Sequence, residues 1–226
     1  VTQSARRGTL SRARLFGSAD GFSVGLQDGD LGPFAQVLGS AGALPATAAA
    51  VLAELEPRGH IPTADFQWSE RNGSSDWTLR ARFRDLAVQS WNNAPGVRGA
   101  DGYLELRPGV GRVYLESEEL ALALPKVFSA DLAYEYVAGV LDLDWSEEGF
   151  GLHSGILRTR GAEGQAVGLL RLSIPRADSG GFPEMELLLG LSSSTPQHRY
   201  KYLPFALSPQ LLGWLDEAFD DGRIRS

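Results

Sequence analysis

Along most of the chain, apolar and polar residues alternate one for one. In the run 77–84, Trp77, Leu79, Ala81 and Phe83 fall on one side, and Thr78, Arg80, Arg82 and Arg84 on the other. A period of two is the mark of a strand with one face buried. The same alternation recurs at Leu104 and Leu106, at Val113 and Leu115, at Leu120, Leu122 and Leu124, and at Leu141, Leu143 and Trp145. It returns at Leu170, Leu172 and Ile174, and at Met185, Leu187, Leu189 and Leu191. Two further strands are expected near 8–16 and 22–28, with a short helical entry over 30–38. At Asp85 the phase slips before Leu86 and Val88, which predicts a bulge or bend. Short turns separate the runs, so the strands should be antiparallel.

Two segments break the pattern and resemble each other. Residues 44–61 read LPATAAAVLAELEPRGHI and residues 207–224 read LSPQLLGWLDEAFDDGRI. Aligned, Leu44 meets Leu207, Val51 meets Trp214, Leu52 meets Leu215, Glu54 meets Glu217, Gly59 meets Gly222 and Ile61 meets Ile224. Each reads as a short amphipathic helix, a glycine stop and a turn into an extended run. In the first, Pro45 sits near the first helical turn and 57–59 end the helix. A recurring unit points to a repetitive protein. The expected organisation is a partial preceding repeat over 1–43, a helix plus antiparallel β module over 44–206, and the start of the next repeat over 207–226.

A sheet with one greasy face must cover it with a second sheet, with helices, or by closing on itself. Two helices of about three turns cannot cover seven or more strands. The pattern is satisfied best by a mainly β chain: a curved antiparallel sheet folded over into an apolar, taco-like groove, with two short amphipathic helices. Alternation alone would equally describe the sealed core of a sandwich.

Composition narrows the partners. The 226 residues carry 43% hydrophobic side chains and a net charge of −7. That is too apolar for disorder, and its acidity argues against a nucleic-acid partner. There is no cysteine, which excludes disulfides and thiolate metal sites. His60, His153 and His198 are far apart and lack metal-ligand spacing. Asp142 and Asp144 share a strand's wet face, where solvation is the expected fate. Gly109, Val110 and Gly111 read as a hairpin turn, since the rest of a dinucleotide fingerprint is missing. No catalytic constellation emerges, so the chain is expected not to be an enzyme and to need no cofactor. Trp77 and Trp145 lie on apolar strand faces and Trp214 on a helix. Trp68 and Trp91 sit where strands end, and exposed indoles there could stack on sugars. A carbohydrate-binding or scaffolding β-sandwich is therefore the alternative reading.

Three stretches carry a resemblance to a known family. They are LPATAAAVLAELEPRGHIPTADFQW (44–68), DLAVQSWNNAPGVRGADGYLEL (85–106) and YLPFALSPQLLGWLDEAFDDGRI (202–224). A helix ending in a glycine-basic turn, a W-x-x-x-P-G-hydrophobic connection and a YLP lead into the next helix resemble the repeats of the AsmA-like family, in its large YhdP-type envelope proteins. The resemblance covers the chain from about residue 22 onward. It implies an internal piece of an inner-membrane-anchored, periplasm-crossing protein of Gram-negative bacteria, akin to bridge-like lipid-transfer proteins. Its implied partners are phospholipid acyl chains, neighbouring repeats of the same parent chain, and the inner membrane through an anchor outside this stretch. The face expected to line the groove comprises Trp77, Leu79, Phe83, Leu104, Leu106, Val113, Leu115, Leu120, Leu122, Leu141, Leu143, Trp145, Leu170, Leu172, Ile174, Leu187, Leu189 and Leu191. Each exposed CH₂ of an acyl chain costs about 0.8 kcal/mol in water. A continuous dry face is what such a cargo needs.

Overall fold

The computed structural model describes residues 12–18, 21–33, 53–71, 74–90, 95–125, 128, 130–162, 164–176, 179–182, 184–192, 210 and 213. Strands β1 (Arg12–Ser18), β2 (Gly21–Asp30), β3 (Arg58–Arg71) and β4 (Ser74–Val88) come first. They are followed by β5 (Gly96–Arg107), β6 (Val110–Ala123), β7 (Leu132–Trp145) and β8 (Gly149–Ser154). The last are β9 (Leu157–Gly161), β10 (Gly164–Pro175) and β11 (Glu184–Ser192). All eleven belong to one sheet, ordered β1-β2-β3-β4-β5-β6-β7-β8-β10-β11, with β9 pairing both β7 and β10. Every pairing is antiparallel. β8 and β9 occupy one slot, interrupted at Gly155 and Ile156, where the Gly155 N–H still donates to the Val140 carbonyl at 2.8 Å. The expected mainly β architecture is therefore found, as a single up-and-down meander.

Helical backbone occurs at residues 31–33 and 53–55, and at 210 and 213. The last two groups fall inside the two expected helices, whose remaining residues lie outside those described. The helical entry expected over 30–38 is seen at 31–33. One local expectation is corrected. Gly59 and His60, expected in the turn after the first helix, already belong to β3. His60 lies across from β2, with Nε2 3.0 Å from Asp28 Oδ1 and Nδ1 3.6 Å from Asp30 Oδ1. The chain turns earlier, at Glu56 (φ 40°) and Pro57, and β3 begins directly after them.

The strands are long, up to 15 residues, and a line of irregularities crosses them. Consecutive strands β2 to β6 each carry a residue of positive φ: Asp28 (60°), Gly59 (139°), Asp85 (49°), Gly99 (72°) and Glu119 (56°). The register shifts between His60 and Thr63, between Phe83 and Leu86, and between Arg98 and Gly102. A bulge adds one residue to a strand, bends it and moves the inward set from odd to even positions. On β4 the inward residues therefore pass from Trp77, Leu79 and Phe83 to Leu86 and Val88. On β6 they pass from Val113 and Leu115 to Leu120 and Leu122. The slip foreseen at Asp85 is one member of this line.

Polar groups tie the line together. The Asp85 N–H donates to Asp101 Oδ1 at 2.7 Å, and the Asp101 N–H donates to Ser117 Oγ at 2.8 Å. The Ser117 hydroxyl in turn donates to the Asp101 carbonyl at 3.2 Å. Ser117 is 1% exposed, so the inner end of this network is held away from water, while its outer end at Asp85 is exposed. Beside it lies a core cluster of Ile61, Phe83, Ala100, Leu120 and Val137, one residue from each of β3 to β7. We refer to this bent, sealed line as the keel.

Next to the keel, one row across the sheet alternates large and small. Phe83 faces Gly102, Gly102 faces Leu115, and Leu115 faces Gly139; beyond, Leu157 faces Gly168. A Cβ on Gly102 would lie 2.8 Å from Phe83 Cζ, and one on Gly139 would lie 2.6 Å from Leu157 Cδ2. On the inside of a bend, neighbouring side chains converge, and alternating size is how a tapered interior is filled.

A candidate apolar face

The sheet brings most of the expected residues onto one face through its register. Leu79 stands opposite Leu106. Leu104, Val113 and Leu141 form a continuous row over β5, β6 and β7. Leu143 meets Leu152, Leu152 meets Leu172, and Leu172 meets Met185. Leu170 pairs with Leu187, and Ile174 with Phe150. Leu122 pairs with Val97 on one side and Leu132 on the other. Leu189 and Leu191 hold the same alternate positions on β11, opposite Gly168 and Ala166. Trp77 pairs with Trp68 on β3, and Trp145 with Phe150 on β8.

These residues differ in exposure. Phe83, Leu120 and Leu172 are 4%, 5% and 6% exposed. Trp77, Leu79, Leu104, Leu106, Val113, Leu115, Leu122, Leu141, Leu143, Trp145, Leu170, Ile174 and Leu187 are only half-buried. A sealed sandwich core would bury most of them, and the described strands include no second sheet. An apolar cavity of about 290 Å³ adjoins the keel, with lining drawn from β4 to β11, including Phe83, Leu115, Leu141, Leu157, Leu172 and Leu187. Side chains from strands so far apart in one sheet can share a cavity only if the sheet bends around it.

Several face residues escaped the sequence reading. Phe22, Val24 and Leu26 on β2 pair with Trp68, Phe66 and Ala64 on β3, which pair in turn with Trp77, Leu79 and Ala81. The signal was present in 64–68, where Ala64, Phe66 and Trp68 alternate with Asp65 and Gln67. Leu152 and Leu157 were hidden by short strands and by glycines at Gly149, Gly151 and Gly155. Val137 and Tyr134 were missed because Ala133, Tyr136 and Ala138 blur the contrast between faces.

The aromatic residues form a row at the hairpin-turn end of the face. Ring centroids are 5.8 Å apart for Phe22 and Phe66, 5.6 Å for Phe22 and Trp68, and 6.4 Å for Phe66 and Trp77. Trp77 then stacks on Trp145 at 6.4 Å and 20°, past the end of the short β5–β6 turn. That turn contains Gly109 at φ 77°, as the hairpin reading of 109–111 required. Trp68 is thus a member of an intramolecular stack, half-buried on the inner face. Trp91 and Trp214 lie outside the described residues.

The opposite face is ionic. Arg112 Nε contacts Asp142 at 2.6 Å, and Arg107 and Arg80 approach Glu105 at 2.6 and 3.4 Å. Arg160 meets Glu135, and Arg171 meets Glu186, each at 3.6 Å. The hydrogen bond from Arg107, followed by the charges of Arg80 and Arg107, holds the Glu105 carboxyl below the usual carboxylate range. The hydrogen bond to Asp142 raises Arg112 above the ordinary guanidinium value. Asp142 and Asp144 do lie on this wet face, the second 3.5 Å from His153. Among the described residues no group of three or more His, Asp and Glu is arranged to hold a metal ion.

Together the fold and the face define an open-meander β protein, greasy on one side and charged on the other. The sequence model of the YhdP protein family matches residues 8–226, and the chain belongs to that family. The AsmA-like resemblance read from the three motif stretches is thereby borne out. No curated protein and no solved structure matches the chain. None of the described helices is long and apolar enough to cross a membrane.

Proposed function

We propose that the chain is a segment of a lipid-transfer conduit of the bacterial envelope. In this reading its bent apolar face is one stretch of a groove holding phospholipid acyl chains. The parent would span the periplasm from an inner-membrane anchor, move phospholipid between inner and outer membrane, and so support the outer-membrane barrier. Phospholipid and adjoining repeats are the partners, and the chain itself performs no catalysis. The observation that carries the reading is the half-buried state of thirteen face residues across six long strands. A surface of that extent on a monomer marks an interaction site for something apolar. Family membership supports the envelope setting. Nine steps between ten strand positions, at about 4.8 Å each, give a path of roughly 43 Å. That is a portion of an envelope crossing, which fits one unit of a repetitive parent.

The test is purification without detergent, followed by organic extraction and mass spectrometry against a mock preparation. Phospholipid near one or more molecules per chain is expected. Its absence above the mock, together with a cooperative unfolding transition, would sink the conduit reading.

A further inference from the structure

The two ends of the apolar face are chemically unlike. On one side of the keel the described margin is mostly aliphatic, with Val97, Leu122, Leu124 and Leu132 lining the cavity beside Tyr134, and Phe128 is 5% exposed. On the other side it ends in Phe22, Trp68, Trp77 and Trp145. None of the three indole N–H groups donates to another described residue; their recorded contacts are ring against ring. Between that row and the keel, the inward positions of β4 to β7 hold no ionisable side chain. They run Trp77, Leu79, Ala81, Phe83; Leu106, Leu104, Gly102; Gly111, Val113, Leu115; and Trp145, Leu143, Leu141, Gly139. Charges of both signs begin beyond the row, at Glu70, Arg107, Glu147 and Glu148, all exposed.

Resting on the conduit reading, we propose that the tryptophan row is the headgroup-level seat of the groove. A zwitterionic glycerophospholipid would lie with its ester and phosphate oxygens at Trp68, Trp77 and Trp145 and its acyl tails toward the keel. Indoles favour this position between grease and water because one edge of the ring donates a hydrogen bond while the body stays apolar. The dimensions agree. Trp77 stands six residues from Phe83 on β4, about 20 Å of strand. One leaflet's share of a bilayer core is about 15 Å. The uncharged depth suits the tails, and the mixed charges at the margin suit a head carrying both signs. Trp68, Trp77 and Trp145 are thus positioning residues, deciding which rim of the groove the head occupies.

Position-dependent fluorescence quenching tests this. The chain is loaded with zwitterionic phosphatidylcholine brominated near the carbonyl, at mid-chain or near the terminal methyl, and retained lipid is measured by mass spectrometry. The expected result is strongest quenching by bromine near the carbonyl, with loss of that component in the combined variant Trp68→Phe, Trp77→Phe, Trp145→Phe. Circular dichroism should show that variant folded, mass spectrometry gives the lipid it retains, and only the emission of Trp91 and Trp214 is left to report. Strongest quenching by bromine at the chain terminus would overturn the placement while leaving lipid binding intact. If no brominated lipid is retained at all, the conduit reading and the placement fall together.

Discussion

At the keel, Phe83, Leu120 and Val137 are 4–5% exposed. A few residues away on the same three strands, Leu79, Val113 and Leu143 remain half-buried. The residue types are alike, so composition does not account for the difference. What differs is the backbone. Aligned irregularities cross β2 to β6 there, and the Asp85–Asp101–Ser117 hydrogen bonds link β4, β5 and β6 along them. Beyond the bulges the strands run in regular register, and the described residues include no second sheet over them. One apolar pattern thus yields two surfaces: a buried seam, and a half-buried face that the proposed function assigns to lipid.

Substitutions should separate the two. The largest loss is expected at the seam. Phe83→Ala removes a ring packed over Gly102 and should cost about 3–5 kcal/mol, a large part of the 5–15 kcal/mol typical of a folded domain. Urea denaturation would show it as a lowered midpoint; an unchanged midpoint would mean the keel is no core. On the open arm, Leu106→Asp gives up only partial burial and should cost about 1–2 kcal/mol. The chain should stay folded while bound lipid falls in the extraction assay. Global unfolding of Leu106→Asp would show this arm to be sealed as well, and the contrast would vanish.

The smallest effect belongs to the ionic face. Glu105 has a lowered folded pKa because Arg107 and Arg80 favour its charged form. Its contribution is therefore present above the unfolded carboxylate range and lost as pH falls through the lowered folded value. Glu105→Gln should flatten that acidic limb slightly in a pH series of thermal melts, and added salt should shrink the difference, because the pair is exposed. A Glu105→Gln curve superposing on the wild type at low salt would remove the pair from the account.

Much of the sheet was legible because each strand's alternation is a local signal. The run 77–84 announced its inward face unaided, and the slip at Asp85 announced a bulge. That the slip has partners at Asp28, Gly99 and Glu119 was not legible. A bulge shows in sequence only when strong alternation flanks it. On β5 the flanks are Gly96, Gly99, Ala100 and Gly102, which have no side chain or a small one. The register sets the expected residues of β4 to β7 side by side, but the aromatic row was not foreseen. Its members sit at four separate places in the sequence, Phe22, Trp68, Trp77 and Trp145, and only register brings them together. Whether the greasy side was sealed could not be read either, since alternation is the same in both cases.

The meander has a consequence for how the chain reaches its native state. Each strand packs against neighbours that are adjacent or nearly adjacent in sequence, and β1 and β11, at opposite ends of the order, never pair. Apart from the 27 residues between β2 and β3, assembly closes only short connections and avoids the long-loop closures that slow most all-β proteins. Each hairpin can dock on the one already formed, so the sheet can grow in the order in which the polypeptide emerges from a ribosome or a secretion channel. Stability is correspondingly a sum over neighbours, as in a linear array. Damage in one hairpin should fray the sheet there and spare strands a few places away.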